Sequence, residues 1–167
     1  LVRQRFFNPH NRKEVDFALV GTKDWSIVLP ITENGQVVTV KQYKQGCDQI
    51  IHELPAGGIG NRETAEQAVR RELLEETGFV SESWTYLGLC FPNPGNSWTR
   101  FHSFLARNCV RKADIKFDEN EEIVVELVSL NDWIRMCYGN IIESSSIVTT
   151  LRALPNLGLE INLKATM

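Results

Sequence analysis

The stretch from residue 64 to 78 restricts this chain more than any other. Thr64 and Gln67 make a T-x-x-Q capping box, Gly78 stands where a left-handed C-terminal cap belongs, and no Pro or Gly lies between them. The spacing predicts a helix over 64–77. At about 100° per residue, Ala65, Val69, Glu72, Leu73 and Glu76 fall on one side, with Glu75 just off its edge beyond Ala68. Two glutamates four apart therefore sit in the middle of the small apolar face. An ordinary Glu-rich helix is a solvated face with Lys partners at i,i+4. Here the helix has no Lys, Glu72 and Glu76 repel each other, and their face is the one that should pack inward.

Carboxylates grouped on a partly buried face need compensating positive charge. A hard divalent cation such as Mg²⁺ supplies it, takes oxygen ligands and keeps positions open for a substrate phosphate. Arg71 precedes Glu72 and lies one turn from Glu75, so it can hold Glu75 by a charge-assisted hydrogen bond. Just upstream is Pro55-Ala56-Gly57-Gly58-Ile59-Gly60, a Pro/Gly segment expected to be irregular. Gly57 and Gly58 carry no side chain that would keep a metal or phosphate from the backbone.

Strands are expected at 16–20, 25–31, 36–43 and 49–53, the middle pair joined by an Asn34-Gly35 hairpin signal. They resume at 84–90, 100–106 and 123–128. Two helices follow, at about 131–138 and 144–154, the second stopped by Pro155. Strands, one helix, more strands and two helices predict an α/β domain with a mixed sheet between helices. The 167 residues allow one domain, 1–167, with N-terminal strands over about 16–53 and C-terminal helices over about 131–154.

Charge and cysteine usage exclude several classes. The formal net charge of −3, with no basic block, argues against nucleic-acid binding by phosphate neutralisation. No apolar run nears the roughly 20 residues of a membrane-spanning helix. Cys47, Cys90, Cys109 and Cys137 form no C-x-x-C pair, so they read as reduced core residues of a cytoplasmic protein and not as a zinc site. The chain opens on Leu1 without a signal peptide, which suggests a trimmed N-terminus. The four tryptophans are expected in the core, Trp98 excepted because it follows a proline loop, and His52 is expected to be structural.

Gly57, five residues, Glu63, seven residues, then Arg71-Glu72-Leu73-Leu74-Glu75-Glu76-Thr77-Gly78-Phe79 resembles a complete Nudix box. The flanks Lys41-Gln42-Tyr43-Lys44 and Glu53-Leu54-Pro55-Ala56-Gly57, and a proline at Asn93-Pro94-Gly95, resemble the ADP-ribose and nucleotide-sugar pyrophosphatase branch, as does the acidic run Asp118-Glu119-Asn120-Glu121-Glu122. With these flanks the resemblance runs from about Trp25 to Leu154.

The resemblance implies the Nudix fold and cleavage of a nucleoside diphosphate linked to another group, with Mg²⁺ or Mn²⁺ as cofactor. It implies Glu72, Glu75, Glu76 and the Ala56 carbonyl as metal ligands, Arg71 as the residue orienting Glu75, and Glu63 as a brace of the loop. Glu119, with Glu121 second, is implied as general base in the acidic loop; Glu75 is the candidate within the box. Lys44, Glu53, Gly57, Gly58, Pro94 and Gly95 are implied in substrate binding. Lys44 stands where similar enzymes generally carry an Arg. ADP-ribose, giving AMP and ribose 5-phosphate, is the expected substrate. The alternatives are another nucleoside diphosphate derivative (GDP-mannose, a dinucleotide, a nucleoside triphosphate) and a non-catalytic nucleotide-sensing module. A homodimer is implied, although the leading segment looks shorter than in similar dimeric enzymes, whose additional strands help build the neighbouring site.

Overall fold

A computed structural model describes residues 1–114 and 123–159. The elements run β1 (Val2–Asn8), β2 (Lys13–Leu19), β3 (Trp25–Thr32), β4 (Gln36–Lys44), β5 (Gln49–Glu53), β6 (Ala56–Gly58), α1 (Ala65–Thr77), β7 (Phe79–Val80), β8 (Ser83–Cys90), β9 (Phe101–Arg111), β10 (Val124–Ser129), α2 (Leu130–Cys137) and α3 (Ser144–Ala153). A 3-10 turn, Leu154–Leu157, carries Pro155 past the end of α3.

The main sheet is mixed. β3 pairs in parallel with β9, Ile27 opposite Ser103 and Leu29 opposite Leu105, while β10, β4, β5, β6, β7 and β8 join antiparallel. Alternation along β3 divides the core. Val28 packs with Val69 and Leu73 of α1 on one face. Ile27, Leu29 and Ile31 pack with Trp133 of α2 and Ala153 of α3 on the other. The sheet is thus sandwiched between helices, as expected.

Three expectations are corrected. The strand expected at 16–20 is the end of a hairpin, β1–β2, with Arg5 opposite Asp16 and Phe6 opposite Val15. Val2–Asn8 was not expected as a strand, because it is held by cross-strand pairs such as Arg5 Nε to Asp16 Oδ1 at 2.8 Å and not by a buried alternating face. The Pro/Gly segment is not wholly irregular: Ala56–Gly58 pairs with Trp25–Ile27, where the absence of a side chain at Gly57 is what the packing requires. Of the four cysteines only Cys109 is buried, its thiol pushed up to about 12 by burial; Cys47 is exposed.

α3 turns a polar face inward. Ser145, Ser146, Thr149 and Thr150 are all buried, and each hydroxyl has a partner: Thr150 accepts from Trp133 Nε1 at 2.8 Å, and Thr149 shares a 2.9 Å bond with Ser103 of β9. Hydrophobic periodicity does not reveal such a face. His52 is structural, as expected: its Nε2 lies 2.7 Å from Thr39 Oγ1 and its ring meets Trp133 edge-on.

Candidate active site

The predicted cap of α1 forms in full. Thr64 Oγ1 accepts from Gln67 N at 3.1 Å, the Gln67 side chain accepts from Thr64 N at 2.8 Å, and Gly78 closes the helix at φ 74°. These caps set where the helix starts and stops; Val69 and Leu73 pack it on the sheet, and Glu72 and Glu76 face β6. Ala56 N donates to Glu76 Oε2 at 3.1 Å. A Cβ on Gly57 would lie 2.0 Å from Glu72 Cδ; the glycine is what lets that carboxylate reach the sheet.

Arg71 organises the group. Its Nη1 donates to Glu72 Oε1 at 2.7 Å and to Glu75 Oε2 at 2.9 Å. Its Nε reaches Glu63 Oε1 at 3.0 Å and its Nη2 reaches the Gly58 carbonyl at 3.1 Å. Glu63 in turn accepts from Gly60 N at 2.8 Å, the bracing role expected of it. The bonds to Glu63, then to Glu75 and Glu72, raise the Arg71 guanidinium above its usual range, so it is a permanent cation. Glu63 is held below the usual carboxylate range by Arg71 and the Gly60 amide.

Glu76 is the opposite case. It is 8% exposed, and burial first, then the Glu72 charge, hold its carboxyl well above its ordinary range. Glu53 behaves likewise: burial raises it, against Lys44 Nζ at 2.8 Å from Oε1 and Gln42 Nε2 at 2.5 Å. Acidic oxygens have been buried here faster than positive charge has been supplied.

A cavity of about 470 Å³ opens over this group, walled by Trp25, Lys44, Cys47, Glu53, Gly58 and Glu143 among others; Ala56 and Gly57 also line it. Lys44, Glu53, Ala56, Gly57 and Gly58 therefore line one cavity, with Glu76, Glu72 and Arg71 against its Ala56–Gly58 wall and Glu75 tied to them through Arg71. Pro94 and Gly95 do not join them. They line a separate cavity of about 330 Å³ with Phe6, Phe7 and Phe17 of the hairpin. Glu119, Glu121 and the rest of the acidic run 118–122 lie outside the described residues. Sequence reasoning missed Trp25 and Glu143. Trp25 is placed by its register opposite Gly58 and its stacking on Phe101, and Glu143 by capping α3, neither of which leaves a local motif.

The donor set suits a hard divalent cation. The oxygens are carboxylates and a backbone carbonyl. Val28 N donates to Pro55 O at 3.1 Å, so the Ile27–Ala56 pair is a non-hydrogen-bonded one and the Ala56 N–H and C=O point away from β3. Ser26 Oγ, fully buried and without a hydrogen-bond partner among the described residues, shares a sheet face with Gly57 and so borders the space that Glu72 enters. Among the described residues no three carboxylate, imidazole or thiol groups converge at ligating distance; Arg71 holds Glu72 and Glu75 in this arrangement.

Comparison with known proteins identifies the family and the fold. The NUDIX domain family model matches residues 22–141. The ADP-ribose pyrophosphatase of Bacillus subtilis is 33% identical over 110 residues, covering 65% of this chain and 60% of that protein. The putative nudix hydrolase 2 of Caenorhabditis elegans is 34% identical over 151 residues, covering 83% of this chain and 63% of that protein. The chain thus spans about three-fifths of the length of these relatives. A crystal structure of an ADP compounds hydrolase matches with a TM-score of 0.78 at 18% identity, covering 89% of this chain and 81% of that one; it shows the shared fold.

Proposed function

The chain belongs to the NUDIX domain family, and from that premise we propose that it hydrolyses the diphosphate linkage of a nucleotide sugar, ADP-ribose foremost, with Mg²⁺ or Mn²⁺. The observation that carries this reading is the grouping of buried Glu76, half-buried Glu72 and Glu75, and the Ala56 carbonyl beside a cavity whose wall carries Ala56, Gly57 and Lys44. These four would hold the cation, which when bound supplies Lewis-acid polarisation of the diphosphate oxygens. Arg71 orients Glu75 and ties the glycine segment to the helix. Lys44 turns from Glu53 to the diphosphate as a point charge, without the fork an Arg would offer. Trp25, stacked on Phe101 at 5.5 Å and exposed to the cavity, offers an aromatic wall to the nucleoside. Glu119, with Glu121 second, takes the proton from the attacking water.

Two further features belong to the same reading. The β1–β2 hairpin exposes Phe6, Phe7 and Phe17 on a two-stranded ribbon, which is marginal in water by itself. Pairing with a second copy would cover it, and supports a homodimer. The four free cysteines support a reducing compartment such as the cytoplasm.

The test is to incubate the protein with ADP-ribose, ADP-glucose, GDP-mannose, dinucleotides and nucleoside triphosphates, with Mg²⁺ or Mn²⁺, and to identify the products. AMP and ribose 5-phosphate formed fastest from ADP-ribose supports the reading. Preference for a triphosphate, or binding of ADP-ribose without turnover, overturns it.

A further inference from the structure

Where β5 ends, the chain turns a corner whose first amide, that of Leu54, is held from outside the sheet. β5 stops at Glu53, Leu54 is fully buried, and Pro55 has no N–H to offer. The Leu54 N–H donates to Ser146 Oγ at 2.9 Å, a contact between residues 92 apart in the chain. Ser146, in the first turn of α3, is itself fully buried, and its hydroxyl donates to Glu143 Oε2 at 2.8 Å. Glu143 is fixed in turn: Oε2 accepts from Ser146 N at 2.7 Å, and Oε1 from Ser145 N at 2.8 Å and Ser145 Oγ at 2.7 Å.

The chemistry of this chain of bonds is directional. A carboxylate only accepts, so the single proton of the Ser146 hydroxyl is committed to Glu143, and the Ser146 lone pair is left for the Leu54 N–H. The next two groups along the chain are gripped by other elements: the Pro55 carbonyl by Val28 N of β3 at 3.1 Å, and the Ala56 N–H by Glu76 of α1 at 3.1 Å. Residues 54–56 are thus held by three elements, and Ser146 is the hold nearest Glu53.

We propose that Ser146 is a positioning residue of the active site. Through Leu54 it sets the corner that carries Glu53, the partner of Lys44, on one side and the Ala56 carbonyl on the other. It touches neither substrate nor cation, and the proposal rests on the functional reading above for the role of Ala56. A partner hydrogen-bonded directly to a metal ligand typically controls metal affinity by about 10–100-fold; Ser146 acts two residues from Ala56, so its effect falls at or below the lower end of that range.

The test compares Ser146→Ala with Thr149→Ala. Thr149 is a fully buried hydroxyl on the same helix whose 2.9 Å bond goes to Ser103 of β9 and not to residues 54–56, so it reports the cost of losing a buried hydroxyl bond of α3 that does not hold the corner directly. Three quantities are read for each: melting temperature, Mn²⁺ affinity by electron paramagnetic resonance, and amide exchange at Leu54 and Ala56 by NMR. Both variants should melt somewhat below wild type. Ser146→Ala alone should speed exchange at both amides and weaken Mn²⁺ binding by up to about tenfold, with kcat falling more than KM rises. Wild-type exchange at Leu54 and Ala56 in Ser146→Ala overturns the proposal, as does equal loss of Mn²⁺ affinity in the two variants. A wild-type protein that binds no Mn²⁺ and cleaves no diphosphate overturns the functional reading instead, and the exchange data still decide whether Ser146 sets the corner.

Discussion

Replacing Glu76 with Gln separates its place in the fold from its place in the site. The Gln oxygen can still accept from Ala56 N, a 3.1 Å bond in the parent, so the local geometry has a route to survive. What disappears is a carboxylate whose ionisation the folded protein resists, because it is 8% exposed and close to Glu72. Without metal, then, Glu76→Gln should melt at or above the wild-type temperature. With metal the order should reverse. A ligand at 100 times its dissociation constant stabilises by about 2.7 kcal/mol. For a chain of this size each kcal/mol moves the melting temperature by about 2–4 °C, so wild type should gain about 5–11 °C. If the variant's affinity falls about a hundredfold, the same Mg²⁺ concentration only equals its dissociation constant. The gain then shrinks to about 0.4 kcal/mol, or about 1–2 °C. Turnover should fall at least about a hundredfold. Thermal melts with and without Mg²⁺, alongside an ADP-ribose assay, check all of this. A variant that melts well below wild type without metal, yet keeps the full Mg²⁺ gain, would refute the assignment of Glu76 as a metal ligand.

Other outcomes follow from the same geometry. Gly57→Ala places a Cβ 2.0 Å from Glu72 Cδ, whereas a Cβ at Gly58 meets nothing within 4 Å. Gly57→Ala should therefore fold but lose about a hundredfold in kcat, and Gly58→Ala should keep most activity; equal kinetics would show that the Glu72 approach is not needed. Glu76 and Glu53 are both held above the ordinary carboxyl value near 4.5. The stability this brings is present below that pH and lost as pH rises through the folded values. The melting temperature of metal-free wild type, relative to Glu76→Gln, should thus fall with rising pH while the Mg²⁺ gain grows; a flat Mg²⁺ gain between pH 5 and pH 8 would count against it. Glu119→Gln should lower kcat by about 10²–10⁴ with little change in KM, and Glu122→Gln should be mild. Wild-type kcat in both Glu119→Gln and Glu121→Gln, with loss in Glu75→Gln, would move the base into the box.

What could be read from the chain beforehand was what local chemistry specifies. The α1 boundaries follow from Thr64, Gln67 and Gly78, which act on their own backbone neighbours, and helical spacing alone puts Glu72 and Glu76 on one face. The hydrogen bond from Arg71 to Glu75 was legible for the same reason, being an i,i+4 pair. The contacts that complete the site span long sequence separations and leave no periodic trace. Gly57 meets Glu72 only because β6 packs against α1, Trp25 faces the cavity only through its pairing with Gly58, and Ser146 meets Leu54 across 92 residues. The hairpin was hidden differently. Its strands bury no face against the rest of the fold, so the alternation that betrays a half-buried strand was never selected at 2–8. The buried Ser/Thr face of α3 misleads in the opposite sense, since its residues read as solvent-facing until the partners appear. A polar face can point inward only if every hydroxyl finds a partner, and that condition makes it sensitive to small displacements. It is consistent with this that the one hydroxyl on the face bonded to the Glu53–Ala56 corner, Ser146, also has its own proton committed, to Glu143. The helix that carries Glu72, Glu75 and Glu76 advertises itself in the sequence, and the helix whose Ser146 holds Leu54 does not.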